Sequence, residues 1–347
     1  MNKIKKQKVV VGLSGGIDSS MTAYMLQKDG YEVEGIYMKL HEIIPGYHEK
    51  NIAAIEQVVD FLNIDYKIID LTEQFSKNVY NYFVQGYIDG ITPNPCVKCN
   101  ATIKFGLLWE EAKKLNADFL ATGHYAKTDG KFIYKADDLS KDQSYFLAQV
   151  DKNVLPNIMF PISKYTKEFI REEISKIPQL ASLAVQKESQ EICFVDTVYT
   201  DILKKHTNID NPGKTLDKDG NVIGHHKGYM HYTVGKRKGF YVHGAHDPHF
   251  VLSQDKINNT ITVGKKDDLS INMVIVDNLN MFIENKQFIC DVKLRFRSTT
   301  VKCKVKIEND SASIKLENPI YGVATGQAAV FYENDKLLGS GWITETK

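Results

Sequence analysis

The chain is poor in cysteine and poorer still in arginine, and it has no long apolar run. Five cysteines in 347 residues, two of them spaced C-x-x-C, exclude the disulfide framework of a small secreted domain. No apolar stretch approaches the ~20 residues that span a bilayer. The start, "MNKIKKQKVVVGL", is basic and then apolar, but it lacks a small-residue cleavage site and runs straight into a glycine-rich loop. It predicts a first β-strand and a cytoplasmic protein. There is no GK[ST] ending of a Walker loop and no GxGxxG. The only arginines are Arg171, Arg237, Arg295 and Arg297, and three of these four sit in "GKRKG" and "KLRFRS". A net charge of +1 argues neither for nor against nucleic acid, because local patches can cancel.

With 43% hydrophobic residues, the length predicts two or three globular domains. Apolar strands alternate with helical patterns from residue 8 to about 200. "KVVVGL", "EVEGIYMKL", "YKIIDL" and "DFLATG" read as strands. Met21, Tyr24 and Met25 mark one helix, and Ile52, Ile55, Val59 and Leu62 a second. Phe75, Val79 and Phe83 mark a third, and "IKFGLLWEEAKKL" is a fourth. This alternation predicts an α/β fold with an N-terminal doubly wound parallel sheet. Beyond residue 204 the helical period fades. Asp219-Gly220 is a hairpin signal, and "VKCKVKI" alternates strictly, with Val301, Cys303, Val305 and Ile307 on one face. The expected division is 1–203 as the α/β domain, 204–268 as a small β-rich central domain and 269–347 as a C-terminal β-barrel.

"VVVGLSGGIDSS" places Ser14, Gly15, Gly16, Ile17, Asp18, Ser19 and Ser20 between the first strand and first helix. Glycines let backbone N–H groups close around phosphate oxygens, and the helix N-terminus adds its positive dipole end. A bare Ser-Gly-Gly turn is often a simple connector. The full SGGxDS pattern after a first strand resembles the signature of the PP-loop ATP pyrophosphatases. Those enzymes share an adenine nucleotide α-hydrolase-like fold, split ATP between its α and β phosphates and activate a substrate as its adenylate. This likeness does not choose among amide-forming, ligase-like and sulfur-transferring members.

The cysteines divide by context. Cys290 and Cys303 lie in alternating strands and read as core thiols; Cys193, between Ile192 and Phe194, reads the same way from position alone. Cys96 and Cys99 follow Pro93 and Pro95, which predict a rigid, non-helical presentation. A helix over 102–116 would begin just after them, its N-terminus drawing a nearby thiol towards thiolate. No second C-x-x-C exists to complete a zinc site.

"GLSGGIDSS", "TPNPCVKCNATIKFG", "ATGHYAK", "KDQSYFL", "SQEICFV", "YTVGKRKG" and "GQAAVFY" occur in that order across residues 12 to 332. Together they resemble the tRNA-specific 2-thiouridylases, the MnmA/TrmU family. The resemblance implies ATP-dependent 2-thiolation of the wobble uridine of tRNA through an adenylated uridine, with magnesium assisting the leaving pyrophosphate. It implies that Cys193 carries the persulfide and Cys99 is its partner thiol, the two ending as a disulfide. It implies ATP contacts at Gly12, Leu13, Ser14, Gly15, Gly16, Ile17, Asp18, Ser19, Met38 and Gly123. It also implies tRNA contacts at Asn94, Pro95, Cys96, His124, Lys141, Asp142, Gln143, Arg295, Phe296 and Gln327. The expected partners are the anticodon stem-loop of tRNA and a persulfide donor, either a cysteine desulfurase or a relay protein, with no membrane and a monomeric chain.

One position departs from a common form of the family: many members carry aspartate where this chain has Cys96. Cys96, Cys99 and Cys193 then form an alternative ligand set for a 4Fe–4S cluster with one open iron. A further alternative is another adenylating enzyme of the superfamily acting on a small molecule. Without the resemblance, Met38 reads as core, His124 as a loop histidine and "KDQ" as a solvated helix start capped by Asp142. If the turn falls near "STTV", then Lys293, Arg295 and Arg297 would share one hairpin face with Lys302, Lys304 and Lys306. Such a surface suits either solvent or a polyanion. Six of the ten histidines lie between 225 and 249 and receive no role.

Overall fold

The computed structural model describes residues 6–186, 192–244 and 246–347. Two compact units organise them. One comprises Met1–Asn78, Cys96–Phe194 and Asp335–Leu337; the other comprises Val79–Pro95, Val195–Asn334 and Leu338–Lys347.

The first unit is built on a five-stranded parallel sheet. Its order is β3 (Tyr66–Asp70), β2 (Glu32–Lys39), β1 (Lys8–Leu13), β4 (Phe119–Ala121) and a two-residue strand at Ile158–Met159. Val9, Val10 and Val11 are wholly buried, because a central parallel strand is covered on both faces and needs apolar residues on each. Helix α1 (Ile17–Lys28) buries Met21, Ala23 and Leu26, and α2 (Tyr47–Leu62) buries Ile55, Val58, Val59 and Leu62. Asn63, left-handed at φ 49°, stops α2. The chain passes from β1 to β2 on one side, and β4 lies on the other. The crevice at their carboxyl ends is therefore the switch point where open α/β sheets bind ligands.

The cysteine segment differs from expectation. Helical backbone begins at Pro95, not at 102, and runs as Pro95–Cys99, a π-turn segment Asn100–Leu107 and Leu108–Lys114. Pro95 opens it because proline lacks only an N–H that the first turn leaves unused. Cys96 and Cys99 are thus presented on a helix rather than on an extended bracket.

In the second unit, five short strands form one sheet in the order Tyr241–Val242, Val222–His226, Gly213–Leu216, Thr260–Gly264, Phe250–Asp255. The Asp219-Gly220 turn lies between two antiparallel neighbours, with Gly220 at φ 83°. Six further strands close into a barrel: Ser270–Met281, Ser311–Tyr321, Val301–Glu308, Gln287–Lys293, Ala328–Glu333 and Lys336–Thr346, the first and last pairing with each other. Val276, Val292, Cys303, Val305 and Phe331 point inward. The Sγ atoms of Cys290 and Cys303, directly opposed in register, are 3.6 Å apart in this core.

The expected six-cation hairpin face does not form. The strand ends at Lys293 and the next begins at Val301, so Arg295 and Arg297 lie in the connecting turn. Across the ladder Lys302 faces Asp291 and Lys306 faces Gln287. On this side the register sets a carboxylate and an amide opposite lysines, while Lys304 faces Lys315 in the neighbouring ladder.

Candidate nucleotide and thiol site

A cavity of about 640 Å³ opens at the switch point of the parallel sheet. Its floor is the loop after β1. Gly15 has φ 77°, and a Cβ there would lie 2.8 Å from the carbonyl oxygen of Asn51, so only glycine fits. Ser14 N–H donates to Ser19 Oγ at 3.1 Å, and the hydroxyls of Ser19 and Ser20 both donate to the Gly16 carbonyl at 3.0 Å. These bonds hold the loop in shape without help from a ligand. Gly123, just past β4, presses on the same loop: a Cβ there would meet Asp18 C and Ser19 N at 2.8 Å. The cavity is lined by Gly12 through Ser19, and by Met38 at the end of β2, Gly123, His124, Lys141 and Gln143.

Among the described residues, four cationic side chains besides Lys141 also line it, to which the sequence assigns no role: Lys50, Lys104, Lys167 and Arg171. Lys167 is the most constrained. Its side chain is buried, and its Nζ donates to both carboxylate oxygens of Asp18, at 2.6 and 2.7 Å. Tyr125 Oη donates to Asp18 Oδ1 at 3.1 Å. Lys167 opens the helix Lys167–Ser175, whose first turn is capped by Thr166 Oγ1 accepting from Phe169 N–H. One turn on, Arg171 donates to the carbonyls of Ala184 and Gln186. No period or motif marks a buried lysine at a helix start; only the fold shows it.

Lys104 belongs to "NATIKFG" and stands half-buried, its Nζ 3.5 Å from His124 Nε2. An ammonium only donates, so Nε2 accepts, and Nδ1–H donates to Thr122 Oγ1 at 2.8 Å. His124 is buried. Desolvation first, and the Lys104 charge second, hold its pKa well below the ordinary imidazole range, so the ring is neutral. Asp142 is not the solvated cap that its sequence context predicts. It is buried, and its carboxylate accepts from Ala136 N–H, Ser144 N–H and Ser144 Oγ. Gln143 Oε1 accepts from Tyr125 N–H at 2.9 Å, which ties this segment to the loop carrying His124.

Lys104 is also the cation nearest the thiols in electrostatic effect. It favours the ionised form of Cys96, Cys99 and Cys193 alike. Burial outweighs it. Cys96 is pushed up to about 12 and Cys99 to about 11, so the resting groups are thiols and the expected helix-driven thiolate does not arise. Cys193 is pushed up to about 12, by desolvation first and by Cys99 second, although its side chain reaches solvent on one side. Cys193 in turn raises Cys96. The three sulfurs therefore share one electrostatic neighbourhood.

Three thiolate ligands for an iron–sulfur cluster must be both ionised and convergent. Among the described residues no three His, Cys, Asp or Glu side chains stand close enough to hold a metal ion. As placed, the thiols do not fit a cluster.

The remaining predicted positions belong to the second unit. Asn94 is buried, and its Nδ2 donates to Gln327 Oε1 at 3.5 Å; Gln327 Nε2 donates to the Thr92 carbonyl at 2.9 Å. Two residues 233 apart in sequence are thus held side by side, with Pro95 buried next to Asn94 in the chain. Arg295 is exposed on the barrel turn, and Lys293 Nζ lies 5.4 Å from the centroid of the Phe296 ring.

Three family profiles match the chain: a "tRNA methyl transferase HUP domain" over residues 7–197, a "tRNA methyl transferase PRC-barrel domain" over 200–265 and an "Aminomethyltransferase beta-barrel domain" over 272–343. Among full-length relatives, the tRNA-specific 2-thiouridylase MnmA 1 of Aliarcobacter butzleri is 59% identical, over 99% of this chain and 100% of that one. The MnmA proteins of Sulfurimonas denitrificans and Nitratiruptor sp. are each 52% identical, over 98% and 97% of this chain and 99% of their own. Among the described residues no helix is long and apolar enough to cross a membrane. With identity of this level running from end to end, the chain belongs to the tRNA-specific 2-thiouridylase (MnmA) family.

Proposed function

We propose that this chain uses ATP to replace the C2 oxygen of a tRNA wobble uridine with sulfur, Cys193 delivering the sulfur and Cys99 releasing it. The observation that carries this reading is the place of Lys104. It lines the cavity floored by the glycine-rich loop, and it acts on all three thiols. A phosphate cradle and a sulfur store are thereby neighbours of one side chain.

The residues divide the work. Backbone N–H groups of Gly12 through Ser19 receive phosphate oxygens at the start of α1. Lys167 and Arg171 offset the charge of the departing pyrophosphate, and Asp18, gripped by Lys167 in the resting chain, would hold a magnesium ion once that contact loosens. Met38 and Gly123 border the nucleotide. The C2 oxygen of uridine attacks the α-phosphorus and pyrophosphate leaves, which turns a poor leaving group into AMP. The terminal sulfur of a Cys193 persulfide then bonds to C2 as the C2–O bond to AMP breaks. Cys99 gives up its thiol proton to solvent and attacks Cys193 Sγ, the S–S bond to the nucleobase sulfur breaks, and 2-thiouridine departs. A Cys99–Cys193 disulfide remains, and an external thiol reductant returns it to two thiols with two electrons. Asn94, Pro95, Cys96, His124, Lys141, Asp142, Gln143, Arg295, Phe296 and Gln327 are assigned to the RNA. The persulfide donor, a desulfurase or a relay protein, is a cytoplasmic partner on this reading.

The test uses purified protein, a tRNA transcript, ATP and a persulfide donor, reading pyrophosphate and 2-thiouridine separately. Pyrophosphate release is expected to require tRNA, and Cys193→Ser to retain that release while forming no 2-thiouridine. Undiminished thiolation by Cys193→Ser would remove the relay.

A further inference from the structure

His41 belongs to no motif and does not line the cavity, yet it is 95% buried, and among the described residues neither ring nitrogen finds a hydrogen-bond partner. An unpaired buried polar group is costly, so its position calls for a reason. His41 follows β2 in "LHEIIPGYH", and its own backbone is pinned: His48 Nε2–H donates to the His41 carbonyl at 2.5 Å, while His48 Nδ1 accepts from Tyr37 Oη at 2.6 Å. Its ring packs among aromatics, with centroids 5.0 Å from Tyr47, 6.1 Å from Phe75 and 6.5 Å from Phe194. Phe194 is fully buried and lies edge-on to Phe75 at 5.5 Å.

Phe194 is the residue directly after Cys193. The aromatic nest therefore anchors the sulfur-bearing segment by its next side chain, while Cys193 itself reaches solvent. Burial lowers the His41 pKa and His48 lowers it further; the Cys193 backbone acts in the opposite sense. The Cys193 backbone therefore lies near enough to this ring to favour its protonated form. The other titratable groups acting on His41 are His48 and Glu42.

We propose that His41 is a positioning residue for sulfur transfer: its ring seats Phe194, and during transfer its ring N–H donates to the Cys193 carbonyl, fixing where the Cys193 sulfur points. The inference rests on Cys193 being the sulfur carrier, as proposed above. Imidazole suits the task because it stacks as an aromatic and donates as an amide does. Neither phenylalanine nor asparagine does both.

The experiment measures a single-turnover pyrophosphate burst and 2-thiouridine formation in parallel for wild type, His41→Phe, His41→Asn and His41→Ala. His41→Phe keeps the ring's bulk and loses the donor. It is expected to leave the burst within about twofold, while thiolation falls between roughly tenfold and hundredfold, the scale of an ångström-sized misplacement of a reacting atom. His41→Asn, keeping a donor, is expected to recover part of that loss. Equal loss in burst and thiolation marks a general folding role and overturns the proposal; so does full thiolation by His41→Phe. Wild-type protein that releases pyrophosphate with tRNA but thiolates equally well as Cys193→Ser refutes the carrier assignment instead, which keeps the two failures distinct.

Discussion

Lys167 Nζ grips both carboxylate oxygens of Asp18, at 2.6 and 2.7 Å, across 149 residues of sequence. The lysine side chain is 6% exposed and the aspartate side chain 31%. A bidentate cation therefore already occupies the carboxylate that magnesium would use. Removing Lys167 frees Asp18 but leaves its charge beside incoming phosphates with one cation fewer. Lys167→Met is expected to raise the ATP concentration for half-maximal pyrophosphate release by about tenfold or more, given ~1.5–3 kcal/mol for a hydrogen bond to a charged group. Titration of the release rate with ATP checks this; an unchanged midpoint removes Lys167 from the nucleotide site.

Gly123 makes the closest approach to the loop. A Cβ there meets backbone atoms of Asp18 and Ser19 at 2.8 Å, and backbone cannot swing aside as a flexible side chain can. Gly123→Ala is expected to cost about 1–3 kcal/mol in stability. It is also expected to reduce stabilisation by ATP, since the loop must move. Thermal denaturation with and without nucleotide measures both, and a variant with wild-type values for each contradicts the packing.

Cys99 is held as a thiol, its pKa pushed up to about 11, chiefly by burial. The thiolate is the reactive form, so alkylation should be slow at neutral pH and climb with pH, its midpoint well above the ordinary thiol value near 9. The same sign governs stability. The neutral form is the one favoured in the fold, so this contribution is intact below the unfolded value and is lost as pH rises towards the folded one. Mass-spectrometric alkylation rates of Cys99 from pH 7 to 10 test it; a midpoint below 8 means another group activates this thiol in the resting protein.

Arg295 stands exposed on the barrel turn, away from the lysine ladder. Arg295→Ala is expected to weaken tRNA binding and to flatten its dependence on log salt by about one unit of slope if one phosphate contact is lost. ATP affinity should not change. Filter binding across salt concentrations reads the slope directly, and parallel lines for variant and wild type exclude a phosphate contact.

Cys96 separates two sulfur chemistries. Because the thiols as placed do not converge on a metal position, Cys96→Asp is expected to thiolate with no iron bound. Anaerobic purification with iron and sulfide analysis is the measurement. Activity that tracks iron content and vanishes in Cys96→Asp would falsify the persulfide route.

The parallel sheet was legible because buried strands leave unbroken apolar runs such as "KVVVGL" and because glycine at 15 and 16 has few other uses between a strand and a helix. The barrel was legible from the strict alternation of Val301, Cys303, Val305 and Ile307. Register was not. Whether Lys302 faces an arginine or Asp291 depends on where the turn falls, and "LRFRSTT" carries no strong turn residue to fix it. Nor did proline settle the conformation at Cys96: the same Pro95 that ends a helix from within begins one at its first turn.

Local order along the chain therefore determined which segments became strands and helices, and where the glycine loop and the thiols sat in sequence. Only the tertiary structure decided that Lys167 meets Asp18, that Lys104 stands between the loop and the sulfurs, and that His41 lies against Phe194. Lys167 and Asp18 are 149 positions apart, Lys104 and Cys193 are 89 apart, and His41 and Phe194 are 153 apart. Periodicity reports which face of an element is buried, but not which distant element buries it, and a charge or ring placed by packing leaves no trace in its own neighbours.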